Sequence, residues 1–217
     1  LKTDSGMVQS KTVIIATGAA PRYLGLENEM TLVGHGVTSC ATCDGAFYRD
    51  VPVAVVGGGD SACEEANFLT RFASKVYLIH RRDELRASKI MADRVLANEK
   101  VEPVWDSGIT EYLTDEEGEV RAVNLENLKT GGKSELEVKC VFVAIGHVPN
   151  SQFVGGLVDL DENGYVLQNP HSTSTKTPGL YAAGDVADHI YRQAIELYTG
   201  NYSQLEEVKA LRLAEQA

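Results

Sequence analysis

Val51-Pro52-Val53-Ala54-Val55-Val56 runs straight into Gly57-Gly58-Gly59-Asp60-Ser61-Ala62, and that junction decides the fold. A near-unbroken run of β-branched and small apolar residues predicts a strand buried on both faces, the habit of a parallel sheet. The glycines then break the strand. Ser61 to Phe72 has helical spacing, with Ala62, Ala66, Leu69 and Phe72 on or near one face, and Lys75 to His80 reads as the returning strand. Strand, glycine loop, helix and strand within about 30 residues make one βαβ unit, which implies parallel strands joined by a right-handed crossover.

Working outward from this unit, Thr12 to Ala16 predicts a second buried strand, ended by the turn residues Thr17-Gly18-Ala19-Ala20-Pro21-Arg22. The opening residues read as a β-hairpin turning at Asp4-Ser5-Gly6, so the sequence is expected to begin inside a longer chain. Leu85 to Glu99 predicts a second helix. From Val101 to Ile145 the pattern changes to alternating strands broken at Asp115-Glu116-Glu117-Gly118 and Thr130-Gly131-Gly132, a three-stranded antiparallel meander closing with Cys140 to Ile145. Turns follow at Gly146-His147-Val148-Pro149-Asn150 and Glu162-Asn163-Gly164. A strand at Leu180 to Ala183 leads into Gly184-Asp185, and a polar, helical tail is expected from about Ile195 to Ala217.

With 217 residues, 43% of them hydrophobic and 24% charged, the composition is that of an ordinary globular protein. A formal net charge of -11 without a long basic run argues against nucleic acid or an anionic membrane as partner, so small molecules or proteins are expected. No apolar stretch is long enough to span a bilayer and no signal-peptide pattern opens the chain, which makes the cytoplasm the expected compartment. Four cysteines are too few to staple a chain of this size.

The chemistry is carried by three short segments. Gly57, Gly59 and Ala62 fit the dinucleotide fingerprint in its proper context: the first glycine makes the tight turn, the second lets the backbone approach a pyrophosphate, and Ala62 keeps helix and strand close. Asp60 and Ser61 stand with them where the helix N-terminus would face phosphates. The returning strand ends in His80-Arg81-Arg82, with Arg86 one turn later, where an acidic residue would hold a ribose 2′-hydroxyl. Guanidinium groups suit a 2′-phosphate instead, so NADPH is expected over NADH, although Asp83 and Glu84 could pair with these arginines.

The third segment is Cys40-Ala41-Thr42-Cys43-Asp44-Gly45. Two cysteines at this spacing near a βαβ unit read as a redox dithiol, to be weighed against half of a zinc knuckle. The other half is missing: Cys63 and Cys140 are far apart in the sequence, His35 stands alone, and no metal site is expected. Cys63 and Cys140 read as small buried hydrophobes. Asp44 is placed either to exchange a proton with a thiol or simply to make the turn before Gly45.

With these three segments at these intervals the chain resembles low-molecular-weight thioredoxin reductases, from Leu1 to about Ile195. Ala16-Thr17-Gly18, Ala144-Ile145-Gly146-His147-Val148-Pro149-Asn150, Thr177 to Asp185 and Tyr191-Arg192-Gln193-Ala194 carry the likeness further. The resemblance implies an α/β fold in which a Rossmann-like NADPH domain, a parallel sheet plus an antiparallel meander, is inserted into a Rossmann-like FAD domain. By analogy residues 22–146 form the NADPH domain, and 1–21 and 147–217 belong to the FAD domain. Only one complete fingerprint is present, so the FAD domain is expected to be incomplete, and the residues from Glu196 on depart from the family pattern.

The resemblance further implies that electrons pass from NADPH to FAD, to the disulfide and on to thioredoxin. In that scheme Cys43 faces the flavin, Cys40 attacks the thioredoxin disulfide and Asp44 is the acid. Asp185 would bind the flavin's ribityl chain, Arg192, Gln193 and Ala194 would lie along its isoalloxazine, Thr17, Gly18, Gly146 and Gly184 are further cofactor-binding candidates, and a homodimer is suggested by the same analogy. A flavoprotein component of a peroxide-reducing system and an NADPH-binding remnant without electron transfer are the other readings.

Overall fold

The computed structural model describes residues 2–188. The chain opens with a hairpin of β1 (Lys2–Thr3) and β2 (Gly6–Met7), followed by β3 (Val13–Ile15) and β4 (Ala19–Pro21). It then runs through β5 (Val37–Thr38), α1 (Ala41–Asp44), β6 (Pro52–Val56), α2 (Asp60–Leu69), β7 (Lys75–Ile79), α3 (Lys89–Leu96) and β8 (Val101–Val104). Next come β9 (Ser107–Thr114), β10 (Val120–Asn127), β11 (Lys133–Glu137), β12 (Val141–Val143), β13 (His147–Pro149) and β14 (Leu180–Ala182). Two units emerge: Pro21–Gly146 is one, and the described residues up to Ala20 together with those from His147 onward are the other. The expected tail from Ile195, with Arg192, Gln193 and Ala194, lies outside the described residues.

In the unit Pro21–Gly146 a five-stranded sheet has the order β5-β12-β6-β7-β8, parallel throughout. Alternate residues of β6 explain its unbroken apolar run. Val53 and Val55 face a core shared with Ala62, Cys63, Ala66 and Leu69 of α2 and Val95 of α3, while Ala54 and Val56 face one shared with Ile109, Tyr112, Val123 and Leu125. Helices therefore cover one face of the sheet and the antiparallel sheet β11-β10-β9 covers the other. Val53, Val55, Leu78 and Phe142 have no exposed surface, and each such side chain contributes about 1.5–3 kcal/mol on burial.

Three expectations change here. The meander does not extend from Val101 to Ile145: β8 and β12 belong to the parallel sheet, and only β9, β10 and β11 are antiparallel. Val141, Phe142 and Val143 are all buried, as a strand covered on both faces requires. Secondly, helix formation over Leu85–Glu99 is confined to Lys89–Leu96. The reason is tertiary: the Arg86 and Ala87 N–H groups donate to the Gly58 carbonyl, and Ser88 donates through both N and Oγ to Asp60 Oδ1, which holds 86–88 out of a helix. Thirdly, the helix expected to reach Phe72 is α-helical only to Leu69.

In the other unit β3 and β14 pair in parallel, with Ile14 opposite Tyr181, and β4 pairs with β13. Ile15, Val154, Val158, Val166, Ala182 and Val186 form its core. The Thr12–Ala16 strand was expected to be buried throughout; Ile15 is, but Ile14 is 69% exposed, because the described residues cover only one face of this strand pair. Among the described residues no helix is long and apolar enough to cross a membrane.

Candidate redox and nucleotide site

In a parallel sheet every strand delivers its C-terminal end to the same edge, and three such ends carry the expected chemistry in Pro21–Gly146. β5 ends at Thr38, two residues before Cys40; β6 ends at Val56, just before Gly57; β7 ends at Ile79, just before His80. The sheet order reverses at β6, since α2 leads to β7 on one side while β12 lies on the other. Ligands of open α/β sheets bind at such a reversal, outside the carboxyl ends of the strands.

The glycine loop fits a nucleotide by the room it leaves. Gly57 has φ 154° and a Cβ there would collide with the Ala144 carbonyl and lie 2.7 Å from Ala62 Cβ, which accounts for both the glycine and the alanine. A Cβ on Gly59 would meet nothing within 4 Å, so its backbone is open to a ligand. Gly58, which the fingerprint leaves unspecified, is required by its neighbour: a Cβ would run into the His80 ring. Ser61 is half-buried in the first turn of α2. Asp60 is committed elsewhere, since its Oδ1 accepts from Ser88 N at 2.7 Å and Ser88 Oγ at 2.9 Å and ties α2 to the start of α3.

His80 is 5% exposed and its Nε2 has no hydrogen-bond partner. Burial, followed by the positive charges of Arg86, Arg81 and Arg82, lowers its pKa, which keeps it neutral near pH 7. The three arginines are exposed, and Asp83 does not pair with them: its Oδ2 accepts from Lys129 Nζ at 2.6 Å.

Cys40 and Cys43 are joined by a disulfide, with Cα atoms 5.3 Å apart. Cys40 caps α1, its sulfur accepting from the Cys43 N–H at 3.2 Å. Cys43 is exposed, while Cys40 and Asp44 are half-buried. Asp44 does more than turn the chain, for Thr38 Oγ1 donates to its Oδ2 at 2.5 Å and itself accepts from the Cys40 N–H at 3.2 Å. Gly45 has an ordinary φ of -55°, and its reason is space: a Cβ would sit 2.8 Å from Leu69 Cδ2, so the glycine lets α1 lie close on α2. Cys63 and Cys140 are free and fully buried, and burial pushes their thiols up to about 11 and about 12.

Sequence reasoning missed Thr38, the Tyr48–Cys140 hydrogen bond close to Asp44, and the Lys129–Asp83 pair. A hydroxyl two residues before a dithiol was the available signal for the first. For the others the partners are 92 and 46 residues apart in the chain, and no local pattern marks them.

The remaining cofactor candidates fall in two places. In the unit outside Pro21–Gly146, Thr17 Oγ1 donates to the Asn150 carbonyl at 2.6 Å, and Gly18 has φ 68°. Gly184, with φ 75°, opens the short 3-10 turn that carries Asp185. A Cβ on Gly18 or Gly184 would meet nothing within 4 Å, which fits close approach of a ligand. Gly146 closes the Pro21–Gly146 unit, its carbonyl accepting from Arg22 N at 2.9 Å.

A parallel α/β sheet with a glycine loop of the dinucleotide type and a Cys-x-x-Cys disulfide along one edge fits the fold class of the nucleotide-linked disulfide reductases. The family model described as pyridine nucleotide-disulphide oxidoreductase matches residues 2–204, and the chain belongs to that family. It is 54% identical over 187 residues to a thioredoxin reductase of Mycolicibacterium smegmatis, covering 86% of this chain and 60% of the relative. It is 48% identical over 202 residues to thioredoxin reductase 2 of Arabidopsis thaliana, covering 90% and 53%. The crystal structure of Lactococcus lactis thioredoxin reductase superposes with a TM-score of 0.73 at 41% identity, over 82% of this chain and 58% of that one. The chain thus spans little more than half the length of these relatives.

Proposed function

We propose that this chain carries the NADPH-binding and dithiol-bearing part of a thioredoxin-disulfide reductase, with Pro21–Gly146 as the NADPH domain and the flanking residues as part of an FAD domain. The observation that supports this most is the placement of the Cys40–Cys43 disulfide and the Gly57–Ala62 loop on the same edge of one parallel sheet, in one folded unit. Thioredoxin reductases of several organisms match the chain at about half identity, which favours thioredoxin over other disulfide substrates.

The open backbone at Gly59 and the start of α2 would hold the pyrophosphate, and Arg81, Arg82 and Arg86 the 2′-phosphate, by charge-assisted hydrogen bonds. When bound, the nicotinamide supplies a hydride and the flavin passes on its electron pair. Thr17, Gly18 and Asp185, with Arg192, Gln193 and Ala194 beyond the described residues, would hold the flavin. Two electrons and two protons open the Cys40–Cys43 bond to two thiols. Cys40 then attacks a sulfur of the thioredoxin disulfide, and Cys43 displaces the reduced product by attacking Cys40, restoring the disulfide. Asp44, held by Thr38, would exchange the proton this requires.

The test is anaerobic addition of NADPH to the chain, with and without added FAD, followed by thiol counting and transfer to an oxidised thioredoxin. Two new thiols appearing with FAD and NADPH together support the proposal. NADPH binding with no new thiols under either condition marks a nucleotide-binding remnant, and no binding at all refutes the nucleotide assignment.

A further inference from the structure

Three guanidinium groups and two carboxyl groups follow β7 within seven residues, Arg81, Arg82, Asp83, Glu84 and Arg86, and an arginine fork is of use to a phosphate only if its own neighbours leave it unpaired. Arg81, Arg82 and Arg86 make no side-chain hydrogen bond or ion pair among the described residues, and all three bear electrostatically on His80, beside the glycine loop. Asp83 bears instead on Lys129, at the loop between β10 and β11, whose Nζ lies 2.6 Å from Asp83 Oδ2 and 3.1 Å from Asp106 Oδ2. Lys129 holds the Asp83 carboxyl below its ordinary range, and Asp83 in turn raises Lys129.

The backbone fixes this arrangement from the same side. Asp106 N donates to the Arg82 carbonyl at 3.1 Å, Leu128 N to the Asp106 carbonyl at 2.6 Å, and Ser107 N to the His80 carbonyl at 3.0 Å. Asp106 is 16% exposed at its side chain, so the lysine is anchored at a largely covered carboxylate and reaches out to Asp83. Both Lys129 and Asp83 are more than half exposed, and a pair of that kind contributes little to stability. Its effect lies in where it leaves the negative charge.

We propose that Lys129 is a specificity-determining positioning residue: by drawing Asp83 away, it keeps Arg81 and Arg82 unpaired for a nucleotide 2′-phosphate. The inference rests on the assignment of those arginines to NADPH. Without Lys129, the Asp83 carboxylate competes with the phosphate for the neighbouring guanidiniums, and with Asp83 neutralised the competition ends.

The experiment is calorimetric titration of the full chain with 2′,5′-ADP and with 5′-AMP, for the unaltered protein, Lys129→Met, Asp83→Asn and the double variant, with thermal unfolding alongside. Lys129→Met is expected to weaken 2′,5′-ADP about threefold to tenfold, with 5′-AMP and the unfolding temperature nearly unchanged. Asp83→Asn in the Lys129→Met background is expected to restore 2′,5′-ADP binding. If the unaltered chain discriminates but Lys129→Met does not weaken it, or the double variant stays as weak as Lys129→Met, the proposal is overturned while the arginine assignment stands; persistent weakness would mean direct attraction of the lysine to phosphate. If the unaltered chain binds both nucleotides equally, the arginine assignment itself fails and the proposal with it.

Discussion

The Thr38 hydroxyl donates to Asp44 Oδ2 at 2.5 Å across six residues of chain, and this single bond ties the end of β5 to the carboxylate beside the disulfide. Thr38 is 7% exposed, so water does not readily replace it. Thr38→Val keeps the shape and removes the donor, leaving Asp44 free to turn. We expect disulfide exchange about tenfold slower in Thr38→Val, on the order of one hydrogen bond to a charged group, and near-normal rates in Thr38→Ser. Stopped-flow reduction of an oxidised thioredoxin by the pre-reduced chain measures both. Normal rates in Thr38→Val with loss in Thr38→Ser would mean that the methyl packing, and not the hydroxyl, matters.

The four cysteines are expected to separate cleanly by reactivity. Burial raises Cys63 to about 11 and Cys140 to about 12, so at pH 8 each is about one part thiolate in a thousand or less. A thiol reagent at that pH should find no thiols in the oxidised folded chain, two after mild reduction, and all four once the reduced chain is unfolded. Peptide mapping should place the two on Cys40 and Cys43.

Substituting Arg81 and Arg82 together by Ala removes two charge-assisted donors from the end of β7. NADPH binding should fall by at least about tenfold while NADH binding changes by less than about twofold. Parallel titrations with the two nucleotides check this, and equal loss would sink the 2′-phosphate assignment.

Stability in Pro21–Gly146 should depend on a buried carboxylate remote from the chemistry. Glu29 is 1% exposed and accepts from the N–H groups of Leu24 at 3.0 Å and Gly25 at 2.6 Å and from Tyr112 Oη at 2.7 Å. Glu29→Ala strands these donors and should cost about 3 kcal/mol in urea unfolding, and Tyr112→Phe about 1–2 kcal/mol. Burial, and then the bond to Glu29, raises the Tyr112 pKa above its ordinary value of 10.0. A group raised in the folded state contributes its stability below its unfolded pKa and loses it as pH climbs. Stability should therefore decline above about pH 10, and less steeply in Tyr112→Phe.

How far the sequence could be read depended on the range of the interactions concerned. The βαβ unit at Val51 to His80 was legible because everything that makes it is local: branched residues for the strand, Gly57 at φ 154° for the turn, apolar spacing for α2. Leu85 to Ser88 read as helix and is not, since Gly58 and Asp60, nearly 30 residues earlier, take its N–H groups. Val141–Val143 read as the close of a meander, because a run of apolar residues states that a strand is buried and says nothing of its partner.

Residue types and spacing by themselves set the expected class of chemistry, a cysteine pair beside a glycine loop of the dinucleotide type with arginines after the returning strand. Only the folded chain decided which partner each polar group takes: Asp60 went to Ser88, Asp83 to Lys129, and Thr38 to Asp44. Carboxylates of one type are alike in a sequence. What distinguishes them is the donor that packing brings within 3 Å, supplied from six residues away for Asp44 and from distant parts of the chain for Asp60 and Asp83.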